Sequence, residues 1–326
     1  MFVCFKCQAI FRSQLASCPN CGDKLAPAKT TDEFLKKFLR IDSATLKRFQ
    51  TIRAQTISEA KKSLSKSGPL TALGISGSAR SEFGMAAESS NSEYLLAQAL
   101  DKLKKLGAKT EMIKLREFNI KPCQACYSTT NTQCHCPCSC YPRGTAGGDD
   151  MSNKIYDQLL AADILILATP VNNMKISSYL SLFLDRCISL DGSLAPADPQ
   201  AAKNKTLNIK QTKFIELTAD QKITGSGFYR RFAGKVAGII VTGHEAGAAL
   251  TISSLFMVLN HWGAALAPWS NVYAMSSIEH ATYEDKPLVT SAMSVDEVRI
   301  MAANSFQLAK KIKTKGCHWE YDYSSN

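Results

Sequence analysis

The chain is expected to fold as an α/β protein, a doubly wound five-stranded parallel sheet carrying a small N-terminal Cys4 metal knuckle. Three observations predict this. From residue 70 onward, short apolar runs alternate with amphipathic stretches of ten or more residues, which imposes crossover connections and a parallel sheet covered on both faces. Cys4-x2-Cys7 and Cys18-x2-Cys21 lie within the first 27 residues, with Pro19 and Gly22 beside the second pair. A second group, Cys123, Cys126, Cys134, Cys136, Cys138 and Cys140, puts six cysteines into eighteen residues.

Residues 1–27 read as a zinc-ribbon or rubredoxin-like knuckle. Two C-x-x-C pairs close a tetrahedron around one ion, and a module this short has too little core to fold without it. Gln8 stands where such knuckles often carry glycine, and the reading prefers zinc to iron. Residues 28–68 read as a helical connector. Thr30 and Glu33 form a capping box, Phe34, Phe38 and Ile41 share a face, and after a break near Asp42–Ser43 the stripe resumes at Leu46, Phe49, Ile52 and Ile57 until Gly68-Pro69.

The remainder, 69–326, forms the main domain. Strands are expected at Leu70–Ser76, Thr110–Leu115, Ile164–Thr169, Lys235–Thr242 and Ala264–Val272. Helices are expected at Ser92–Leu106, Ser152–Ala162, Ser177–Leu190, Ala246–His261 and Ser294–Lys313. In such a sheet a ligand binds beyond the carboxyl ends of the strands. Those ends carry small polar turns: Gly74 to Arg80 with Ser89 to Ser92 before the next helix, Thr169 to Lys175, and Thr242 to Gly247. Hydroxyls, free backbone N–H groups and a helix N-terminus favour an anion. Residues 192–232 form a polar insertion with Lys203, Lys205, Lys210, Lys213, Lys222, Arg230 and Arg231 around a Gly225-Ser226-Gly227 joint, read as a solvated loop or a lid.

The central cysteines are poor disulfide material, because C-x-C neighbours are too close for relaxed bridge geometry and a reducing compartment is expected from a start, MFVCFKC, that does not read as a secretory signal. Crowded thiolates of this kind hold an ion or an iron–sulfur cluster. Cys123 and Cys126 are assigned with two of the remaining four, leaving a [4Fe–4S] cluster and a Cys4 zinc knuckle as alternatives, the cluster preferred. His135 is read as a solvated loop residue, Cys187 as a small buried filler and Cys317 as a free thiol in a polar tail.

Charge and composition bound the function. With 45% hydrophobic residues among 326 the chain fills a globular core, and no window approaches the roughly 18 apolar residues of a membrane span, so a cytoplasmic protein is expected. The balance of 39 basic against 28 acidic residues, +11, favours phosphate-bearing cofactors, acidic redox proteins or nucleic acid. The basic residues are not interleaved with aromatics as a base-stacking surface requires, which argues against nucleic acid.

Together the motifs carry a family resemblance. S-x-S-x-R from Ser76 to Arg80, Asn91-Ser92, I-K-P-C-x-x-C ending at Cys126, Asp149-Asp150-Met151, the run from Ala162 to Val171, and F-L-D-R at Phe183 to Arg186 resemble the NADPH-dependent FMN reductase family, in particular its iron–sulfur flavoprotein branch, with a flavodoxin-like fold. The resemblance covers residues 70–190 and, more loosely, 234–272. It implies that Ser76, Ser78, Arg80, Asn91 and Ser92 hold the phosphate of FMN, that Thr169, Pro170, Val171, Asn172, Asn173 and Met174 flank the isoalloxazine, and that Thr242, Gly243, His244 and Gly247 close the pocket. Lys175 and His244 are the candidates for charge stabilisation or proton donation.

The chain departs from the family pattern in three places. Ten residues separate Arg80 from Asn91, Asn172 replaces a common aromatic, and Tyr127–Gln133 separate Cys126 from the later cysteines. The implied function is an FMN-dependent oxidoreductase coupling flavin to an iron–sulfur cluster, with NAD(P)H or a redox protein as partner and a homo-oligomeric state. The alternatives are an NAD(P)H-dependent FMN or quinone reductase with structural zinc in the cysteine loop and, from another class, a zinc-binding nucleic-acid-associated protein.

Overall fold

The computed structural model describes residues 1–64, 68–85, 87–126, 134–144, 148–192, 194–218, 229–244, 247–276 and 287–315. The segment Tyr127–Gln133, the Gly225–Gly227 joint, Glu245-Ala246 and Cys317 lie outside the described residues.

Three short strands, β1 (Phe2–Val3), β2 (Ile10–Phe11) and β3 (Ala26–Pro27), pair antiparallel in the order β2-β1-β3 and frame the N-terminal cysteines. The connector is two helices, α1 (Asp32–Leu39) and α2 (Ser43–Leu64). The first stops because Arg40 turns left-handed at φ 50°, and Asp42 accepts the Thr45 N–H to start the second. The N-cap is Thr31 rather than Thr30, and its side chain makes no capping bond.

The main sheet contains β4 (Thr71–Ser76), β5 (Lys109–Lys114), β6 (Ile164–Asn172), β10 (Val236–His244) and β11 (Ala265–Ser276), all parallel and ordered β5-β4-β6-β10-β11. This is the flavodoxin-like order, with its switch point between β4 and β6. A short β7 (Lys175–Ile176) folds back antiparallel on β6. The other short pair is β8 (Asp191–Gly192) with β9 (Tyr229–Arg230). Each strand falls within a few residues of its expected place, because the apolar runs that predict burial on both faces are buried: Ile164 to Thr169 is covered throughout.

One face of the sheet packs on α3 (Asn91–Lys105) and α8 (Ala292–Lys315), through Leu96, Leu100, Val298 and Met301. The other packs on α4 (Tyr156–Ala161, preceded by a π turn at Met151–Ile155), α5 (Ser178–Cys187) and α7 (Ala248–His261). Cys187 and Cys138 belong to that second core, so part of the cysteine loop is roofed by sheet-covering helices rather than hung in solvent.

The basic insertion corrects its expectation as a solvated loop. Within it α6 (Lys205–Thr218) buries Phe214, Ile215 and Leu217 against Leu35, Phe38 and Phe49 of the connector and Val3 of the knuckle. A polar composition conceals the apolar stripe that this helix needs. Burying three such side chains contributes on the order of 5 kcal/mol of transfer free energy, enough to seat the N-terminal module on the main domain.

Candidate functional site

Three loops converge at the carboxyl edge of the sheet. After β4, Ser76 and Ser78 are buried in a tight turn: the Ser76 hydroxyl donates to Glu93 Oε1 at 2.8 Å and accepts the Ser78 N–H, while Ser78 Oγ accepts the Arg80 N–H at 3.1 Å. Gly77 donates its N–H to the Ala168 carbonyl on β6, and a Cβ there would stand 2.8 Å from both Leu180 Cβ and Ser177 Oγ. Only glycine permits that approach. The N-terminus of α3 opens on the same turn, capped by Ser90, whose Oγ accepts the Glu93 N–H and lies 3.0 Å from Ser92 Oγ. Asn91, half-buried, is the first residue of α3.

Arg80 is half-buried and pairs with Glu88 at 3.3 Å, so the ten-residue stretch between Arg80 and Asn91 supplies its counter-ion. Sequence reasoning missed Glu93 and Arg116. They form an ion pair beneath the turn, with Lys114 3.8 Å from Glu93 Oε2 and Arg116 Nη1 reaching the Ser78 carbonyl. The signal was present as Ser90-x-x-Glu93, a capping box whose carboxylate here serves Ser76 and Arg116 instead. Arg80, Lys114 and Arg116 are matched by Glu88, Glu93 and Glu117, so the turn's preference for an anion comes from its hydroxyls, its free N–H groups and the N-terminus of α3. These residues fit a phosphate.

The second loop differs from its expected form. β6 runs on to Asn172 and turns through Asn173 (φ 48°) and Met174 (φ 66°) into β7, a two-residue hairpin with Asn172 opposite Lys175. Thr169 is fully buried, its Oγ1 accepting the Ser177 N–H. It therefore supports the loop from beneath, while Pro170 and Val171 are half-buried and Asn172, Asn173, Met174 and Lys175 are exposed. From β10 comes the third loop. Thr242 is buried, and Gly243 (φ 141°) sits against Val171. Gly247 (φ 84°) caps α7 so closely that a Cβ would lie 2.5 Å from Met174 Cα. His244 ends β10, and its side chain is not among the described residues.

The N-terminal cysteines meet as expected. The ligand sulfurs of Cys4, Cys7, Cys18 and Cys21 all lie within 4.8 Å of one another, with Cys4 to Cys21 and Cys7 to Cys18 at 3.5 Å. Four thiols at this spacing suit one tetrahedral ion. Gln8 and Gly22 repeat one turn, each left-handed and each donating N–H to the carbonyl of the first cysteine of its pair. The departure at Gln8 has a use, since its Nε2 donates to the Phe38 carbonyl at 2.6 Å and ties the knuckle to α1.

In the central loop the thiols of Cys126 and Cys138 each interact with those of Cys134 and Cys140, and hydrogen bonds from both hold Cys126 down to about 3. Cys134 and Cys140 are raised by the same contacts. Cys123 lies beside Cys126 and Cys138 and is raised chiefly by burial. Cys136 stands apart: its N–H donates to the Leu194 carbonyl and burial raises its thiol. His135 corrects its solvated reading, since burial lowers its pKa, Nδ1 lies 2.8 Å from Ser139 Oγ and its carbonyl accepts from Ser189.

A family model described as NADPH-dependent FMN reductase matches residues 70–279, which include all three sheet-edge loops and the central cysteines. The chain belongs to that family. Two relatives are named iron–sulfur flavoprotein. The one from Archaeoglobus fulgidus is 31% identical over 119 residues, 36% of this chain and 51% of the relative. The other, from Methanosarcina thermophila, is 28% identical over 117 residues, 36% and 52% of the two chains. The chain thus spans about half the length of these relatives. Among solved structures, that of RosB with bound 8-demethyl-8-formylriboflavin-5'-phosphate superposes with a TM-score of 0.52 at 18% identity, covering 77% of this chain and 83% of that one, a likeness of fold. Among the described residues no helix is long and apolar enough to cross a membrane.

Proposed function

We propose that the protein is an FMN-dependent oxidoreductase in which the sheet-edge loops hold FMN and the central cysteines hold an iron–sulfur centre. The observation that carries this reading is the convergence of three small polar loops at the switch point of a sheet whose family is defined by FMN. Ser78, Arg80, Asn91 and Ser92 with the N-terminus of α3 would take the phosphate. The 170–174 hairpin would lie along the ring, Lys175 would keep positive charge at its rim, and His244 would supply a proton. Gly243 and Gly247 let the second and third loops close together. Bound FMN supplies exchange between an electron pair and single electrons. NAD(P)H is the donor that the family's description implies.

In this reading residues 1–27 are a metal module, 28–68 a connector and 69–326 the flavin domain. A second reading is a family reductase with structural zinc in the cysteine loop, favoured by the contacts of the Cys126 and Cys138 thiols with those of Cys134 and Cys140. Anaerobic purification followed by a visible spectrum and metal analysis separates them. Flavin bands with an iron–sulfur shoulder support the first; flavin with zinc alone supports the second and rejects the first.

The charge is unevenly spread. Residues 1–64 hold twelve Lys or Arg against five Asp or Glu, and residues 194–218, packed on them, hold four against two. We infer that this excess of basic residues meets an acidic electron-carrier protein. Reduction by such a carrier should slow at least tenfold between about 0.05 and 0.5 M salt, because surface charges are screened beyond a few ångströms at the higher value. A salt-independent rate would reject the assignment.

A further inference from the structure

We propose that Arg186 is the charge-compensating and positioning residue of the central cysteine site, a fixed cation at the neck of the loop that stabilises metal-bound thiolates and raises the reduction potential of the centre they hold. The inference rests on reading those cysteines as a metal site, and not on which metal they take.

Arg186 projects from α5 and is 1% exposed, the largest fully buried side chain among the described residues. Its guanidinium occupies the point where the cysteine loop begins and ends. Nη1 donates to the Lys121 carbonyl at 2.9 Å, two residues before Cys123. The face of the group lies 4.5 Å from the centroid of the Tyr141 ring, directly after Cys140. The Tyr141 hydroxyl in turn donates to the Pro122 carbonyl at 2.8 Å, so the two ends of the loop are pinned to each other as well as to α5.

Rotation is blocked. Both terminal nitrogens are held by Asp149 at 2.7 Å, Nη2 also reaches Ser152 Oγ, and Asp149 is fixed by the N–H groups of Lys121 and Ser152. The Tyr156 hydroxyl anchors the Arg186 carbonyl. From this position the guanidinium stands against the chain on both sides of the cysteines, at Lys121 before Cys123 and at Tyr141 after Cys140. Among the described residues the other cations near the loop are more exposed or farther from its neck: Arg143 and Arg231 act on Cys136, Lys121 lies over the Tyr141 ring at 5.8 Å, and Lys203 donates at 3.4 Å to Gln124, between Cys123 and Cys126.

A buried ion pair contributes little net stability compared with well-packed apolar residues, so packing alone does not account for one at this place. Charge does. Four thiolates around a doubly positive ion or cluster leave two negative charges in a partly desolvated pocket, and a fixed cation nearby offsets them. The offset grows when the centre gains an electron, which shifts its potential upward.

The test uses the full-length protein, purified anaerobically with its metal, as wild type, Arg186→Gln, Arg186→Lys and Asp149→Asn. Metal and sulfide analysis of the wild type comes first, and absence of metal at the central cysteines overturns both this proposal and the reading beneath it. With metal present, competition by a chelator is measured, together with a spectroelectrochemical titration when the metal is iron. Arg186→Gln should release metal at least tenfold more readily and lower the potential by at least 59 mV, the one-electron equivalent of tenfold. Arg186→Lys should recover most of both, and Asp149→Asn should move the potential the opposite way. Wild-type affinity and potential in Arg186→Gln would overturn the proposal while leaving the metal site standing. Equal losses in the Gln and Lys variants without a reversal in Asp149→Asn would do the same, since packing gives that pattern. Should Arg186→Gln not fold, Arg186→Lys and Asp149→Asn decide by the same signs.

Discussion

The Cys138→Ser variant is expected to leave anaerobic purification with its central metal lost or reduced more than about a hundredfold in affinity, while still binding FMN. A serine hydroxyl is a poor ligand at neutral pH, and removal of a direct ligand should exceed the 10–100-fold cost of losing an outer partner. Cys138 is buried among the core residues of α4, α5 and α7 and its thiol meets two others. Cys136→Ser is the contrast. Among the described residues its thiol bonds no other thiol, and its backbone is what engages Leu194. Metal content in Cys136→Ser should stay within about twofold of wild type, with a stability loss of about 1–2 kcal/mol from the buried hydroxyl. Metal lost equally in both variants would mean that the six cysteines are not divided as the geometry divides them.

A second large effect is expected at Gly247. Alanine there would need φ 84° and would place a Cβ 2.5 Å from Met174 Cα and 2.7 Å from its carbonyl carbon, both backbone atoms that cannot swing aside. Strain and overpacking together should cost about 3 kcal/mol, read as a lower Tm. Because the clash separates the β6 hairpin from the loop after β10, FMN affinity should fall at least tenfold. Gly107→Ala provides the reference: its φ is 99° but nothing lies within 4 Å of a Cβ, so it meets the backbone strain alone, about 1 kcal/mol. Equal Tm losses and unchanged FMN binding in the two variants would contradict the closure of these loops on each other.

The sheet was legible because its strands are buried on both faces and so appear as uninterrupted apolar runs, Ile164 to Ala168 above all. The sheet-edge turns were legible for a related reason: small residues recur where strands meet helix N-termini, and Gly77 and Gly247 occupy positions that a side chain would block. What escaped the sequence depends on partners distant in the chain. Thr169 looks like a pocket residue and faces inward to Ser177, because β6 extends beyond it into a hairpin that local pattern does not announce. Glu93 and Arg116 are 23 residues apart and become a pair only when β4, β5 and α3 assemble. Within 192–232, lysines hide the spacing of Phe214, Ile215 and Leu217, and only the apolar faces of α1 and α2, distant in the chain, give that stripe its purpose. Six cysteines in eighteen residues are plain in the sequence, whereas what sets Cys136 apart is a backbone bond to Leu194, 58 positions along the chain.

FMN at the carboxyl edge of the sheet is tested directly by titrating flavin-free protein with FMN under reducing conditions, with its thiols kept free, and following flavin fluorescence. One FMN per chain is expected, with Arg80→Ala weakening binding at least tenfold, about 1.4 kcal/mol. No saturable binding by the wild type, or binding indifferent to Arg80, would contradict it.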